Sequence, residues 1–388
     1  MRLPSGAGDG RNPAVSSAGR RGLIAAALVL GLAGAPAHAQ RQAAGKTETF
    51  AAQVLRLSEP GGYFDSDNLI SNETSYLHVM DALDRLGVRG GAFIGVGPDQ
   101  SFSYVAAVRP RVAYIIDIRR DNMLMHLMFK ALFAESATRV EYLSLWFGRP
   151  APPRPAAWAS APIQRIIHWV DSVPATEASS RAAMQRVRSR VERFGLPLSS
   201  QDLETLDRFH RAFIAEGLDI QFTSRGRFSR RAYPTYRDLL LERDRSGRPR
   251  NYLDRDADYR FLRELQSRDR VIPVVGDLAG PHALAAIGRE IAAQRLAVSV
   301  LYVSNVEQYL FRSDVFDRFA RTVGTLPRNA RSVIVRSWFS GYPQRHPFNV
   351  TGHRSTQIAQ TFEAFLRGLA LGYGSYWDVA THDPIPPG

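Results

Sequence analysis

The sequence predicts an α/β fold: a doubly wound, mostly parallel sheet with a helical insertion between its second and third strands. Three observations predict it. Five short and almost wholly apolar runs, at residues 91–94, 112–116, 271–275, 298–303 and 332–336, alternate with stretches of helical periodicity. Strands apolar on both faces belong to parallel sheets covered by helices on either side. Residues 149–268 then interrupt the alternation once, with helical periodicity and no strand pattern.

The elements follow in order. Residues 40–57 read as a polar lead-in and a short helix. Ser58-Glu59-Pro60-Gly61-Gly62-Tyr63-Phe64 is a turn, because Pro-Gly-Gly cannot continue a helix. Tyr76, Leu77, Met80, Leu83 and Leu86 share one face of a helix over 72–86. After the first strand, Asp99 or its neighbour caps a helix over 101–108. The second strand ends on Asp117, and helices over 122–133 and 137–147 follow, the latter capped by Ser136. A Pro- and Ala-rich connector covers 150–158. Helices are expected at 160–171, 176–193, 199–216 and 257–267, with a loop over 219–255. The third strand ends on Gly276-Asp277, and a helix over 282–294 leads to the fourth strand, which ends on Ser304-Asn305. A helix over 313–323, the fifth strand, a helix over 355–371 and a last strand at 375–380 complete the chain. The organisation is thus 1–39, 40–148, 149–268 and 269–388, the second and fourth segments being the two halves of one α/β domain.

Length and composition are those of a globular chain of 388 residues, 45% hydrophobic and 22% charged. The absence of cysteine excludes disulfides, thiolate metal sites and a cysteine nucleophile. The formal charge is +13, carried almost entirely by arginine. Arginine is denser at 225–231 and 243–255 but is otherwise spread, so no nucleic-acid partner is expected. An anionic membrane surface would suit the charge. Arg20-Arg21, an apolar run over 22–35 and Ala37-His38-Ala39 before Gln40 form the three parts of a cleavable signal peptide, so the protein is expected to be exported, periplasmic or secreted. The arginine pair also fits the twin-arginine route. Loss of 1–39 removes four arginines and one aspartate and leaves +10.

Ligands of open α/β sheets bind beyond the carboxyl ends of the strands, and four strand ends here carry suitable residues. Gly95-Val96-Gly97 allows a tight turn and close backbone approach, and the following helix offers free N–H groups to an anion. Asp99 stands beside that turn. Asp117, about 20 residues further on, is placed to accept from both hydroxyls of a ribose. Asp277 suits an exocyclic amine, and Ser304 and Asn305 add polar groups at the fourth strand. Gln100 stands where a dinucleotide fingerprint has its third glycine, which weakens a nicotinamide reading, and no Gly-Lys-Ser/Thr run supports a P-loop.

This order of strand, Gly-x-Gly, strand-Asp, strand-Gly-Asp and strand-Ser-Asn-Val-Glu-Gln-Tyr-Leu resembles the class I S-adenosylmethionine-dependent methyltransferases, which have a Rossmann-like fold. The resemblance implies that Gly95 and Gly97 hold the methionine end, Asp117 the ribose and Asp277 the adenine. It also implies that residues 301–310 face the transferred methyl, and that S-adenosylmethionine is the cofactor. Asp99 departs from the pattern, since its charge would repel the methionine carboxylate. The chain also resembles a family of exported bacterial proteins without an assigned activity. The likeness rests on residues 58–64, 95–99, Ile116-Asp117-Ile118-Arg119-Arg120-Asp121-Asn122, 274–277 and 304–310.

Further candidates surround the strand ends. Tyr63, Phe64, Asp65, Asn68 and Glu73 either fold over the cleft to contact substrate or tie the N-terminal segment down by packing. Glu307 and Tyr309 are the candidate catalytic residues, Glu307 as a base or as a carboxylate favoured in a helix's first turn. Arg336 suits an anionic substrate group or an ion pair. The spacing of His346, His353 and His382 matches no zinc motif, and no metal is expected. Three functions are consistent with these residues: an S-adenosylmethionine-dependent methyltransferase whose acceptor the sequence does not identify, an exported binding protein that keeps the cleft for a small-molecule ligand without the chemistry, and a nicotinamide oxidoreductase.

Overall fold

The five apolar runs form β1 (Ala92–Gly95), β2 (Val112–Asp117), β3 (Val271–Val275), β4 (Val298–Ser304) and β5 (Val333–Phe339), in a computed structural model that describes residues 48–224 and 233–388. These strands pair in parallel, and β6 (Ser355–Thr361) joins β5 antiparallel, with Phe339 opposite Ser355 and Val333 opposite Thr361. The order is β3-β2-β1-β4-β5-β6. Chain direction across the sheet reverses between β1 and β4, which opens a crevice above their carboxyl ends. The expected leader over 1–39 and the arginine-rich stretch at 225–231 lie outside the described residues.

Fifteen α-helices lie among the described residues. Before the sheet come α1 (Phe50–Leu57) and α2 (Met80–Arg85). The helix expected over 72–86 is a run of turns at 74–79 that becomes α-helical only at Met80. β1 is followed by α3 (Ser101–Val108), and β2 by α4 (Arg120–Glu135) and α5 (Arg139–Trp146). The N-cap of α5 is Thr138, whose hydroxyl and the Glu141 carboxylate form a reciprocal capping box, so Ser136 lies two residues outside the helix.

Between α5 and β3 lie α6 (Ile163–Ser172), α7 (Glu177–Glu192), α8 (Ser200–Glu216), α9 (Tyr236–Leu241) and α10 (Asp256–Ser267). α9 falls in the stretch expected to be loop. Its local signal is Thr235-x-x-Asp238, again a capping box. This stretch packs on α4 and α5 through an aromatic cluster that includes Phe129, Phe133, Tyr142, Trp146, Phe213, Tyr252 and Tyr259. One hydrophobic core runs from the sheet into these helices.

The second half of the sheet carries α11 (Ala283–Ala293), α12 (Val306–Arg312), α13 (Phe316–Thr325), α14 (Phe362–Leu371) and α15 (Tyr376–Thr381). Two expectations exchange here. The helix expected over 355–371 is β6 followed by α14, because the Thr361 hydroxyl accepts from the Ala364 N–H and starts the helix there. The strand expected at 375–380 is α15, capped by Ser375 through the Asp378 N–H.

Both edges of the sheet are occupied. On β3, the Val275 N–H donates to Ser58 Oγ and its carbonyl accepts from the Glu59 N–H. Pro273, two residues earlier, therefore turns its nitrogen to the same outer edge, where no ladder bond is lost. On β6, the Ala359 carbonyl accepts from the Ile385 N–H at 2.7 Å. No described helix is long and apolar enough to cross a membrane.

Candidate ligand-binding site

A cavity of about 440 Å³ lies over the carboxyl ends of β1, β2, β3 and β4. All four strand ends named from the sequence meet in it, through Val96 and Gly97, Asp117, Asp277, and Ser304 with Asn305. Tyr63, Phe64, Asn68 and Glu73 cover it from the N-terminal segment, and Tyr309 lines it with its ring edge against Phe64. Phe222 brings the stretch before β3 to the wall. That stretch is latched to the N-terminal segment by Ser66 Oγ, which donates to the Thr223 carbonyl at 2.6 Å.

The glycine turn is held from behind. Gly97 has φ +80°, a left-handed conformation that favours glycine, and its carbonyl is bonded to His126 Nε2 at 2.8 Å. His126 is buried, which lowers its pKa to about 4 and keeps the ring neutral. Gly95 does not line the cavity; a Cβ there would meet the Phe93 ring at 2.5 Å, so its role is close packing. Gln100 donates to the Tyr302 hydroxyl while its Oε1 is buried without a hydrogen-bond partner.

Asp99 turns away from the cavity. Its Oδ2 accepts from Tyr236 at 2.7 Å and from Tyr252 at 3.0 Å, tying the turn to the helical stretch instead of capping α3. Burial without a cation raises its pKa to about 6. The Asp99 carboxylate is thereby directed at the two tyrosine hydroxyls instead of into the cleft.

Asp117 is clamped. Its Oδ1 accepts from the backbone N–H and Nε of Arg119 at 2.9 and 3.0 Å, and its Oδ2 from Nη2 at 2.8 Å. The same guanidinium donates to the carbonyls of Ser66 and Asp67, so one arginine fixes both the carboxylate and the covering segment. Asp117 lines the cavity, and a carboxylate oxygen such as Oδ2 has acceptor capacity beyond one bond. Asp277 is half-buried; its Oδ1 accepts from Ala279, and its own N–H is held by Glu59. Glu59 also accepts from the N–H groups of His282 and Ala283, filling the anion-binding end of α11 with the chain's own carboxylate.

At β4, Ser304 has φ +52°, an unusual conformation for a residue with a side chain. Its hydroxyl bonds Glu73, which also accepts from Tyr302 at 2.6 Å and from Gln357. Asn305 donates to Tyr342 at 2.9 Å. Glu307 and Arg336 do not reach the cavity. They form a doubly bonded pair at 2.6 and 3.2 Å with both side chains fully buried, and Arg336 also donates to Gln360. Phe222 and Arg318 were not singled out from the sequence, and Arg119 was named only within the run 116–122, with no role at the site. Asp117-x-Arg119 is a local signal for the clamp, whereas Phe222 and Arg318 reach the cavity only through the tertiary fold.

Residues 68–151 and 210–372 match the family described as Domain of unknown function (DUF7790), more than half of the chain. The chain belongs to this family. The DUF7790 match takes in all six strands and the tyrosines that hold Asp99, and its gap covers α6, α7 and part of α8. A comparison with curated proteins finds no match.

Proposed function

We propose that this DUF7790 protein binds an adenosyl-type ligand, S-adenosylmethionine in first place, in a Rossmann-like, methyltransferase-type domain with a helical insertion before its third strand. The observation that carries this reading is the convergence of the Gly97 turn, Asp117, Asp277 and Asn305 in one cavity at the reversal of strand order. The order 3-2-1-4-5-6 is that of the dinucleotide-binding folds. The reversed β6 and the Gln100 side chain beside the turn favour an adenosyl ligand over a nicotinamide dinucleotide. The cavity is of the size that drug-sized ligands occupy. Gly97 would receive the methionine end, Asp117 Oδ2 a ribose hydroxyl, and Asp277 the adenine amine. S-adenosylmethionine supplies an electrophilic methyl group when bound. Tyr309 and Asn305 would orient the acceptor.

A second reading, binding without turnover, draws on the same residues. Glu73 accepts from three side chains and Asp117 is clamped by Arg119, so both carboxylates are already committed to the protein's own donors. The signal-like N-terminus also favours it, because an exported protein meets little of a cytosolic metabolite.

Calorimetric titration of the full chain with S-adenosylmethionine and S-adenosylhomocysteine tests the first reading. Saturable heat is expected, together with a thermal shift that reaches about 2.7 kcal/mol of added stability at 100-fold excess over Kd. Asp277→Asn is expected to weaken binding about tenfold. No heat and no shift at millimolar ligand overturns the proposal. Methylated product formed from candidate acceptors excludes the second reading.

A further inference from the structure

Three side chains from distant parts of the chain meet at the cleft end of the sheet. His78 lies in the turns before α2, Glu242 directly follows α9, and His353 lies in the loop that enters β6. Each offers one ligand atom, and the three atoms lie within 4.8 Å of one another. His78 Nε2 stands 3.4 Å from Glu242 Oε1, and the two imidazoles meet at 4.5 Å between ring centroids, 68° apart in plane. His353 Nδ1 is buried and has no hydrogen-bond partner.

We propose that His78, Glu242 and His353 bind a divalent transition metal, zinc being the reference ion. Two imidazoles and a carboxylate form a three-ligand set typical of zinc sites that keep a fourth position open. With metal–ligand bonds of about 2.0–2.2 Å, tetrahedral ligands stand about 3.4 Å apart, and the His78–Glu242 separation already has that value. An ion pair between His78 and Glu242 accounts for two of the groups but leaves out His353, whose Nδ1 is buried with no hydrogen-bond partner. A metal satisfies all three.

The ligand-bearing segments are tied together by bonds that involve none of the ligand atoms. Ser75 Oγ donates to the Ser355 carbonyl at 2.7 Å, and the Arg354 N–H donates to Thr74 Oγ1 at 3.1 Å, joining the segments of His78 and His353. The Tyr76 hydroxyl donates to the Leu239 carbonyl at 2.8 Å, joining the first segment to α9. Such support holds a site ready before its ion arrives. Glu242 and His353 are both part-exposed, and the Glu242 side chain is 19% exposed against 9% for His78, so the site reaches solvent. The open position therefore takes water or an anionic or carbonyl oxygen.

The test is a zinc titration of the untagged full chain in competition with a chromophoric chelator. Cobalt substitution serves as a spectroscopic readout. One equivalent of zinc is expected, with the visible absorption of four-coordinate cobalt. His353→Ala and Glu242→Gln should each lose at least tenfold in affinity, while His168→Ala, on the exposed face of α6, should lose none. Circular dichroism in the presence of chelator checks that the substituted proteins fold, and Glu242→Gln carries the test if His353→Ala does not. The proposal is overturned if the wild-type chain takes up no zinc, or if His353→Ala and Glu242→Gln bind zinc as tightly as the wild type.

Discussion

Two carboxylate–arginine pairs, each doubly bonded, stand in the two halves of the sheet. Glu307–Arg336, beside β5, has both side chains at 0% exposure, whereas Asp117–Arg119, at the end of β2, opens onto the cavity with 12% and 7%. The chemistry is the same and the surroundings differ. The sealed pair has every direction filled by protein and acts as scaffold. The open pair lines the cavity, where the proposed ligand would meet it. Whether such a pair is reachable from the cavity is decided by the tertiary surroundings, and residue type alone does not carry that.

The largest effect should follow from breaking the sealed pair. Glu307→Ala strands a buried guanidinium and is expected to cost about 3–5 kcal/mol in urea unfolding. Replacing both partners by methionine should restore much of that loss, since a well-packed apolar pair avoids the desolvation penalty. If the single and double variants unfold alike, the pair is not the scaffold described.

Asp99 sharpens the comparison, because it is buried with no cation at all. Its pKa is raised from 3.8 to about 6, so the stability tied to its protonated form is full below pH 4 and is lost as pH rises through 6. His126 runs the other way: with its pKa lowered from 6.5 to about 4, its contribution is full above pH 6.5 and is lost as pH falls through 4. The two oppose each other over pH 4–6. Asp99→Asn should therefore gain about 3 kcal/mol relative to wild type between pH 4 and pH 7, read from urea midpoints at each pH. A difference that does not change with pH would refute the raised pKa.

The open pair should give the smallest change in stability. Asp117→Ala is expected to cost about 1.5–3 kcal/mol through lost charge-assisted hydrogen bonds. It should also abolish the heat of S-adenosylmethionine binding. Retained heat would show that the ligand does not use this carboxylate.

The parallel strands were legible because burial on both faces makes them apolar throughout, and their Gly, Asp and Ser-Asn ends were legible because a strand that stops abruptly needs special residues. The C-terminal elements were not. Residues 355–361 and 375–380 have patterns that suit either state; pairing with β5 makes the first a strand, and capping by Thr361 and Ser375 starts the helices that follow them. At the site, the sequence located the cavity but not its electrostatics. Asp99, Glu307 and Arg336 turn inward because their partners, Tyr236, Tyr252 and each other, come from elements that only the tertiary fold brings near. The same holds for His78, Glu242 and His353, whose separation along the chain hides any metal-binding spacing.

The closed rims of the sheet bear on how this protein keeps company. A proline and the Ser58-Glu59 strap occupy one margin, and the C-terminal segment occupies the other through Ile385. At Val275 and Ala359 the edge hydrogen bonds that strand addition by a second copy would use are already taken. Removing residues 383–388 would free the Ala359 carbonyl on a strand of polar and β-branched residues, a template for self-association that the intact chain does not offer.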